Sequence, residues 1–344
     1  MNEFYNQKKA KKYIGNNDVF DFLYYNILNN KLQNSVIIYG QKGIGKSTLI
    51  YYLAKKLFSK INTNNEKFLN DENIENSDAN LISNGSHPNF LSITPIIDEK
   101  NKTKKNNIII DQIRDLKKFI NLTSINKLPK IILIDAGDYL NNNSSNALLK
   151  IIEEPNENTF FFIVSHSLHL LLPTIRSRCI KIEMKNPNSN EFKEILMLNE
   201  LNLPEQEYNN LFEFSYASPG FALNYIDNDY SQIESETMEL FINNIFDKDI
   251  SSILKKVTSD NNTFIFFLYL IKFLLINTIK YELKIIDLKN EYLLKKIEII
   301  SKLMPLKKII SLLDYINDNE KRIFTLNLDK RLFVTDIFSR ISIN

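Results

Sequence analysis

The sequence predicts an α/β domain built on a parallel sheet with flanking helices, followed by a region that contains only helices. Three observations predict this fold class. Short apolar β-type runs alternate with helical patterns across residues 35–183, which is typical of parallel α/β sheets. A glycine-rich loop joins the first of these runs to the helix after it. Beyond Met184 the apolar periodicity is helical, with no convincing strand pattern.

Five apolar runs are predicted to be the strands of the sheet, because each is short and strongly apolar. They are residues 36–39, 90–94, 131–134, 160–164 and 180–182. We expect residues 108–110 to lead into a helix instead. The polar stretch at residues 59–88 is predicted to be a surface excursion, because it offers little apolar area to bury.

A chain of 344 residues is too long for one compact core, so we predict three domains. Residues 1–185 form the α/β domain, residues 186–228 a small helical domain, and residues 229–344 a larger helical domain. The apolar run at residues 264–276 is shorter than the roughly 20 residues of a membrane span, and it contains Lys272. We therefore expect a buried helix there and no contact with a membrane.

The composition argues against several classes of protein. A net charge of +2 excludes a strongly basic nucleic-acid binder, so any such contact needs a local patch. The single cysteine, Cys179, excludes a disulfide framework and a zinc site made of cysteines, and no zinc is expected. The lysine-rich N-terminus is not followed by an apolar segment, which argues against a secretory signal. These features are typical of a cytoplasmic protein.

The strongest chemical signal lies at residues 40–47, which read GQKGIGKS and complete the P-loop pattern between a strand and an amphipathic helix. Glycines let backbone amides turn towards phosphate oxygens, and the start of the helix attracts negative charge. Lys46 is predicted to reach the β- and γ-phosphates of ATP, and Ser47 to hold Mg²⁺. The predicted ATP-binding residues are Gly40, Gly43, Ile44, Gly45, Lys46, Ser47, Thr48 and Asp135.

Asp135 follows the apolar run at residues 131–134, where its carboxylate would help to hold Mg²⁺ beside the P-loop. A lone acidic residue after a strand is usually a turn residue, and it is the P-loop that makes the metal role the preferred interpretation. His166 and His169 are not expected to bind metal, because nothing acidic or sulfur-bearing flanks them.

Several short segments carry a family pattern. Residues 177–179 read SRC, residues 145–155 read SNALLKIIEEP, residues 86–90 read SHPNF, and residues 110–116 read IDQIRDL. Together these segments resemble the AAA+ clamp-loader subunits of bacterial DNA polymerase III, most of all those of the delta-prime kind. The resemblance is strong over about residues 14–184 and thin beyond them.

The resemblance implies a role for Arg178, the arginine of the SRC segment. In the resembled subunits this arginine reaches the nucleotide of a neighbouring subunit, and such fingers accelerate hydrolysis by roughly 10³ to 10⁵. The implied partners are the gamma/tau and delta subunits, the sliding clamp and primed DNA. The two helical domains would be a lid and an oligomerising collar, and Ser165 or His166 would occupy the sensor-1 position.

Three departures from the family pattern bear on mechanism. The four-cysteine zinc module of gamma-type subunits is missing. Ala136 occupies the position after Asp135 where an active motor has a catalytic glutamate, and Asp138 could replace it only if the turn folds back. The lid segment at residues 218–223 has no arginine to offer to the γ-phosphate. Two transition-state groups are therefore missing, so we expect ATP to be bound and hydrolysed weakly or not at all.

Two alternatives stay open at this point. The chain could be a gamma/tau-type motor subunit, which Ala136 and the missing zinc module disfavour. It could also be a scaffold that no longer binds nucleotide, which the complete P-loop disfavours. For DNA, Arg114, Lys117 and Lys118 share one helix face and could contact phosphates. A lysine face that is simply solvated is the competing interpretation.

Overall fold

The computed structural model describes residues 7–63, 77–97, 106–124, 128–243, 250–286, 288–326 and 328–342. They fall into two compact units. The first unit is Met1–Leu203 together with Ala217–Phe221, and the second is Pro204–Tyr216 together with Ala222–Asn344. The predicted three-domain division at 185/186 and 228/229 stays a prediction.

The first unit contains a five-stranded sheet, whose strands are β1 Ser35–Tyr39, β2 Phe90–Ile93, β5 Lys130–Ile134, β6 Thr159–Ser165 and β7 Ile180–Glu183. Their order across the sheet is β2-β5-β6-β1-β7, and every neighbouring pair is parallel. All five predicted strands are therefore confirmed. A separate antiparallel pair, β3 Ile96–Ile97 and β4 Asn106–Asn107, was not predicted, because two-residue strands leave no pattern in the sequence.

Helices cover both faces of this sheet. Successive side chains of a strand point to opposite faces, so Val36 and Ile38 of β1 pack into one apolar cluster and Ile37 into the other. Every residue of β5 and β6 is buried, as expected for strands covered on both sides. The α/β class is thus confirmed.

Among the described residues, seven α-helices lie wholly within the first unit. They are α1 Asn17–Leu28, α2 Lys46–Thr63, α3 Ser77–Ser83, α4 Ile110–Asn121, α5 Asn142–Glu153, α6 Pro173–Arg176 and α7 Ser189–Leu198. Since α4 begins at Ile110, residues 108–110 do lead into a helix as predicted. The expected polar excursion contains α3, and residues 64–76 of it lie outside the described residues.

The second unit is helical, and the part of it that the structure describes contains no strand. Its helices are α8 Glu205–Phe214, α9 Pro219–Asp227, α10 Ser231–Asn243, α11 Ser251–Val257, α12 Asn261–Glu282, α13 Glu291–Leu303, α14 Leu306–Leu326 and α15 Lys330–Ser342; the first turn of α9 belongs to the first unit. By length and composition α12 could cross a membrane, but 67% of its most apolar stretch is buried against the rest of the protein. Most residues of the run 264–276 are buried in this helix, as the sequence predicted.

A buried lysine joins the sheet to a neighbouring helix. Lys130 opens β5, and its Nζ donates to the carbonyl oxygens of Phe119 (2.9 Å), Ile120 (2.7 Å) and Leu122 at the end of α4. The last carbonyls of a helix have no partner within the helix, so this ammonium group satisfies them. Lys130 thereby fixes the end of α4 against the sheet.

We predict that Lys130→Met lowers the free energy of unfolding by about 2 kcal/mol, because it removes three hydrogen bonds at the end of α4. The Phe119 and Ile120 carbonyls keep only longer bonds, from the Leu122 amide at 3.3 Å and from Asn156 Nδ2 at 3.4 Å. Urea denaturation of the purified chain measures the change. Lys117→Met on the exposed face of α4 is the matched control and should change stability by less than about 0.5 kcal/mol. Equal losses in the two variants would show that the helix-end contacts of Lys130 do not matter.

Candidate functional site

The P-loop occupies the turn between β1 and α2 in the first unit. Gly43 and Gly45 have φ angles of 85° and 91°, a backbone conformation that residues with a Cβ rarely adopt. Ile44 between them is buried, and Thr48 is half-buried in the first turn of α2. The spacing of glycines therefore matches the backbone that the loop adopts.

Lys46 begins α2, and its side chain is folded into the loop. The residue is 4% exposed, and its Nζ donates to the carbonyl oxygens of Gly40 at 2.7 Å and Gln41 at 2.5 Å. Burial lowers the pKa of Lys46 to about 8, against the opposing effect of the Asp138 and Asp135 carboxylates. At pH 7 the amine is therefore mostly protonated, and it places a positive charge inside the loop.

Ser47 and Asp135 meet, although 88 residues separate them in the chain. The Ser47 hydroxyl donates to Asp135 Oδ1 at 2.5 Å. Asp135 directly follows β5, and β6 lies between β5 and β1. The contact therefore passes over the carboxyl end of β6, on the side of the sheet where all the parallel strands end. Burial raises the pKa of Asp135, whereas the Ser47 hydroxyl and Lys46 lower it. A hydroxyl and a carboxylate oxygen are ligands that suit Mg²⁺.

The position after Asp135 provides no carboxylate. Ala136 has a left-handed backbone (φ 64°) and leads into a 3-10 turn at Gly137–Tyr139. Asp138 in that turn is almost fully buried, and each of its oxygens accepts a hydrogen bond: Oδ1 from the Ser165 hydroxyl, and Oδ2 from the His166 amide at 2.7 Å. The turn thus brings Asp138 towards the site, but the Asp138 carboxylate is hydrogen-bonded to the end of β6.

His166 lies beside Asp138 at the end of β6. Burial and the nearby charge of Lys46 lower the pKa of His166, and its Nδ1 lies 3.8 Å from Asp138 Oδ2. In the part of the chain that the structure describes, no three His, Cys, Asp or Glu side chains are grouped to hold a metal. The expectation that no zinc is bound stays a prediction.

The first turn of α9 is bonded directly to the P-loop. The Ser218 hydroxyl donates to the Lys42 carbonyl at 2.9 Å, and the Gly220 amide donates to the Gly43 carbonyl at 2.9 Å. Ser218 also caps α9 by accepting from the Phe221 amide at 3.2 Å. Sequence reasoning noted this segment only for its missing arginine. A serine before Pro-Gly at a helix start was the available signal, although it indicates a cap and not a P-loop contact.

This contact leaves no room for a side chain at Gly43. A Cβ there would lie 2.4 Å from Ser218 Oγ and 3.2 Å from the Phe221 amide nitrogen. We predict that Gly43→Ala lowers the free energy of unfolding by about 2 kcal/mol or more, because it adds a clash to backbone strain.

Gly85 is the matched control for Gly43→Ala, because its φ is also positive (70°) while a Cβ there would meet nothing within 4 Å. Gly85→Ala should therefore report the strain alone, about 1 kcal/mol. Thermal unfolding of both variants checks the comparison. Equal destabilisation would mean that the Ser218 contact is not formed in solution.

Arg178 lies in a different set of contacts, between α6 and β7. Its Nη2 is 2.8 Å from Glu153 Oε1, its Nη1 donates to the Thr174 carbonyl at 3.1 Å, and the side chain is 41% exposed. The next residue, Cys179, is buried, and burial raises the pKa of its thiol to about 11. Cys179 is therefore a packing residue and not a nucleophile.

The basic face of α4 is less positive than the sequence suggested. Arg114 pairs with Asp111 at 2.8 Å, and Lys118 pairs with Asp115 at 2.8 Å. Lys117 is exposed on the same helix. Two of the three proposed DNA contacts are thus already neutralised by acidic neighbours, and DNA binding at this face stays a prediction.

Comparison with known proteins identifies a family. The family model described as DNA polymerase III, delta subunit, matches residues 15–188, which is half of the chain. DNA polymerase III subunit delta' of Pseudomonas aeruginosa is 32% identical over 148 residues, covering 43% of this chain and 42% of that protein. The delta' subunit of Buchnera aphidicola is 27% identical, covering 67% of this chain and 66% of the relative.

A subunit of another kind is also similar. DNA polymerase III subunit gamma of Buchnera aphidicola is 25% identical over 248 residues, covering 71% of this chain and 62% of that protein. In all three comparisons the match spans less than two thirds of the relative's length. The family model spans the P-loop, Asp135 and the SRC segment. The chain belongs to the DNA polymerase III delta subunit family, and delta' subunits are among the relatives that it resembles.

Proposed function

We propose that this chain is a delta-prime-like subunit of a clamp loader, which helps to place a sliding clamp on primed DNA. It holds ATP and Mg²⁺ at the P-loop, hydrolyses ATP slowly or not at all, and acts on a neighbour's nucleotide through Arg178. The observation that carries this proposal is that Lys46, Ser47 and Asp135 lie together at the end of the parallel strands. Asp138, the next carboxylate along the chain, accepts hydrogen bonds from the end of β6.

The residues of the P-loop fit a nucleotide with its metal ion. Lys46 already presents a buried ammonium group to the inside of the loop, where it can exchange carbonyl oxygens for phosphate oxygens. Ser47 and Asp135 would hold Mg²⁺, whose chemistry is to neutralise the phosphates and fix their geometry. Gly43 and Gly45 supply the positive φ angles of this turn.

We expect slow hydrolysis because the catalytic groups of a motor subunit are either missing or already hydrogen-bonded elsewhere. Ala136 cannot polarise a water molecule, and both oxygens of Asp138 accept bonds from the end of β6. Residues 218–223 offer no arginine to the γ-phosphate. Each missing group of this kind commonly costs about 10² to 10³ in rate, so the two losses together leave little catalysis.

The similarity to a gamma subunit keeps the motor interpretation as a second candidate. A motor subunit would need a carboxylate to activate water, and the only acidic side chain in the turn after Asp135 is Asp138. The scaffold interpretation would need a P-loop that cannot hold phosphate, which the position of Lys46 disfavours. Proposed partners are gamma/tau and delta subunits and the clamp, and the proposed compartment is the cytoplasm.

Clamp loading onto primed DNA tests the proposal. We expect a loader assembled from its other subunits to load a fluorescently labelled clamp poorly, and addition of this chain to restore loading. A chain carrying an unrelated exposed change, Lys31→Gln in the turn after α1, should restore loading equally well. If loading is as fast without the chain as with it, the proposed role is wrong.

A further inference from the structure

The backbone of Arg178 is fixed on both sides. Its amide donates to the Ile175 carbonyl at 3.1 Å, which continues the turn of α6. Its carbonyl accepts from Gln33 Nε2 at 3.0 Å, a side chain 145 residues away in the chain. The Cα of Arg178 is therefore held in place, and only the side-chain torsions decide where its guanidinium lies.

Those torsions are fixed by two further contacts. Glu153 Oε1 lies 2.8 Å from Nη2, and the Thr174 carbonyl accepts from Nη1 at 3.1 Å. A guanidinium group has five N–H donors in a rigid plane, so these described partners use two and leave three for a ligand. These contacts orient the guanidinium group and leave donors with which it can bind a phosphate.

Glu153 occupies a position that its own helix disfavours. It is the last residue of α5, and a carboxylate is unfavourable at the negative end of a helix dipole. In its ion pair with Arg178, the Glu153 side chain is 44% exposed and the Arg178 side chain 41%. Ion pairs with this exposure contribute little to the stability of the fold. Glu154, which follows it at the end of α5, is acidic as well, so it is the ion pair with Arg178 and not the acidic charge alone that distinguishes Glu153.

We propose that Glu153 is a positioning residue, which holds the Arg178 guanidinium in the orientation needed to reach the phosphates of a nucleotide on the adjoining subunit. This inference rests on the proposed function of Arg178. Glu153 does not touch the nucleotide in this proposal. It restricts the rotamers of Arg178 before the subunits meet, so that less freedom is lost when the finger engages.

The test is ATP turnover at the neighbouring site of the complete loader, with clamp and primed DNA present. Glu153→Gln keeps the size of the side chain and removes its charge. We expect it to lower kcat about tenfold with KM unchanged, because the finger acts in the transition state. The kcat of Glu153→Asp should lie between those of Glu153→Gln and the wild type. Glu154→Gln is the matched control: Glu154 is the next residue and is also exposed, and its variant should behave as wild type.

A second background separates positioning from structure. Once Arg178→Ala has removed the finger, Glu153→Gln should cause no further loss, whereas a merely structural effect on α5 would persist. If Arg178→Ala slows turnover but Glu153→Gln does not, the positioning role is wrong and the finger stands. A faster rate in Glu153→Gln would also overturn the role, since it would mean that Glu153 competes for Arg178. If Arg178→Ala has no effect, it is the proposed function that fails.

Discussion

Replacing Arg178 by alanine should slow ATP turnover at the neighbouring site of the assembled loader by about 10³-fold. The affinity of the purified chain for ATP should not change. The reason is geometric: Arg178 contacts Glu153 and Thr174, while the proposed phosphate site is built from Lys46, Ser47 and Asp135. A permanently charged fork held rigidly at an exposed turn can stabilise charge on a nucleotide that another subunit holds.

Phosphate release in a single turnover, measured with clamp and primed DNA, gives this rate. Arg178→Lys should recover little of it, because an ammonium group lacks the planar fork. Arg176→Ala, two residues earlier on the same turn, is the control and should stay near the wild-type rate. Wild-type turnover in Arg178→Ala would remove Arg178 from the mechanism.

Replacing Lys46 by alanine should weaken binding of Mg²⁺-ATP to the purified chain by at least about 10²-fold. The loss comprises the charge that would face the phosphates and the donor that now holds the Gly40 and Gln41 carbonyls. Equilibrium titration with a fluorescent ATP analogue measures the affinity. Lys46→Met should give the same result while keeping most of the packing, which separates charge from folding.

Lys42→Ala is the control for Lys46, because Lys42 is exposed in the same loop. Its loss should change affinity by no more than a few-fold, as expected for a screened surface charge. Thermal unfolding of each variant shows whether the fold is intact. Unchanged affinity in a folded Lys46→Ala variant would mean that the P-loop does not hold phosphate in this protein.

Much of this site could be predicted from the sequence, because its signals are local. The P-loop is a continuous motif, and the strands are short apolar runs with polar ends. The meeting of Ser47 with Asp135 was also predictable, since parallel strands place their carboxyl ends on one edge of the sheet. The topology of a parallel sheet is therefore enough to predict this contact, although the two residues are 88 positions apart in the chain.

The remainder depends on contacts between segments that have no pattern in common. The pairing of Glu153 with Arg178 joins the end of one helix to the turn after another, and either residue alone looks like a solvated charge. Asp138 was predicted to matter only if its turn folded back, and its bonds to Ser165 and His166 depend on the exact end of β6. Individual hydrogen bonds of this kind can be identified only in the three-dimensional structure.

The most direct test is to measure ATP binding and phosphate release on the same preparation of the purified chain, in Mg²⁺ and without partners. We expect saturable, Mg²⁺-dependent binding together with phosphate release that stays close to the uncatalysed background. Rapid phosphate release by the isolated chain would contradict the proposal and identify a motor subunit. Absence of binding would contradict it equally, and would leave a scaffold.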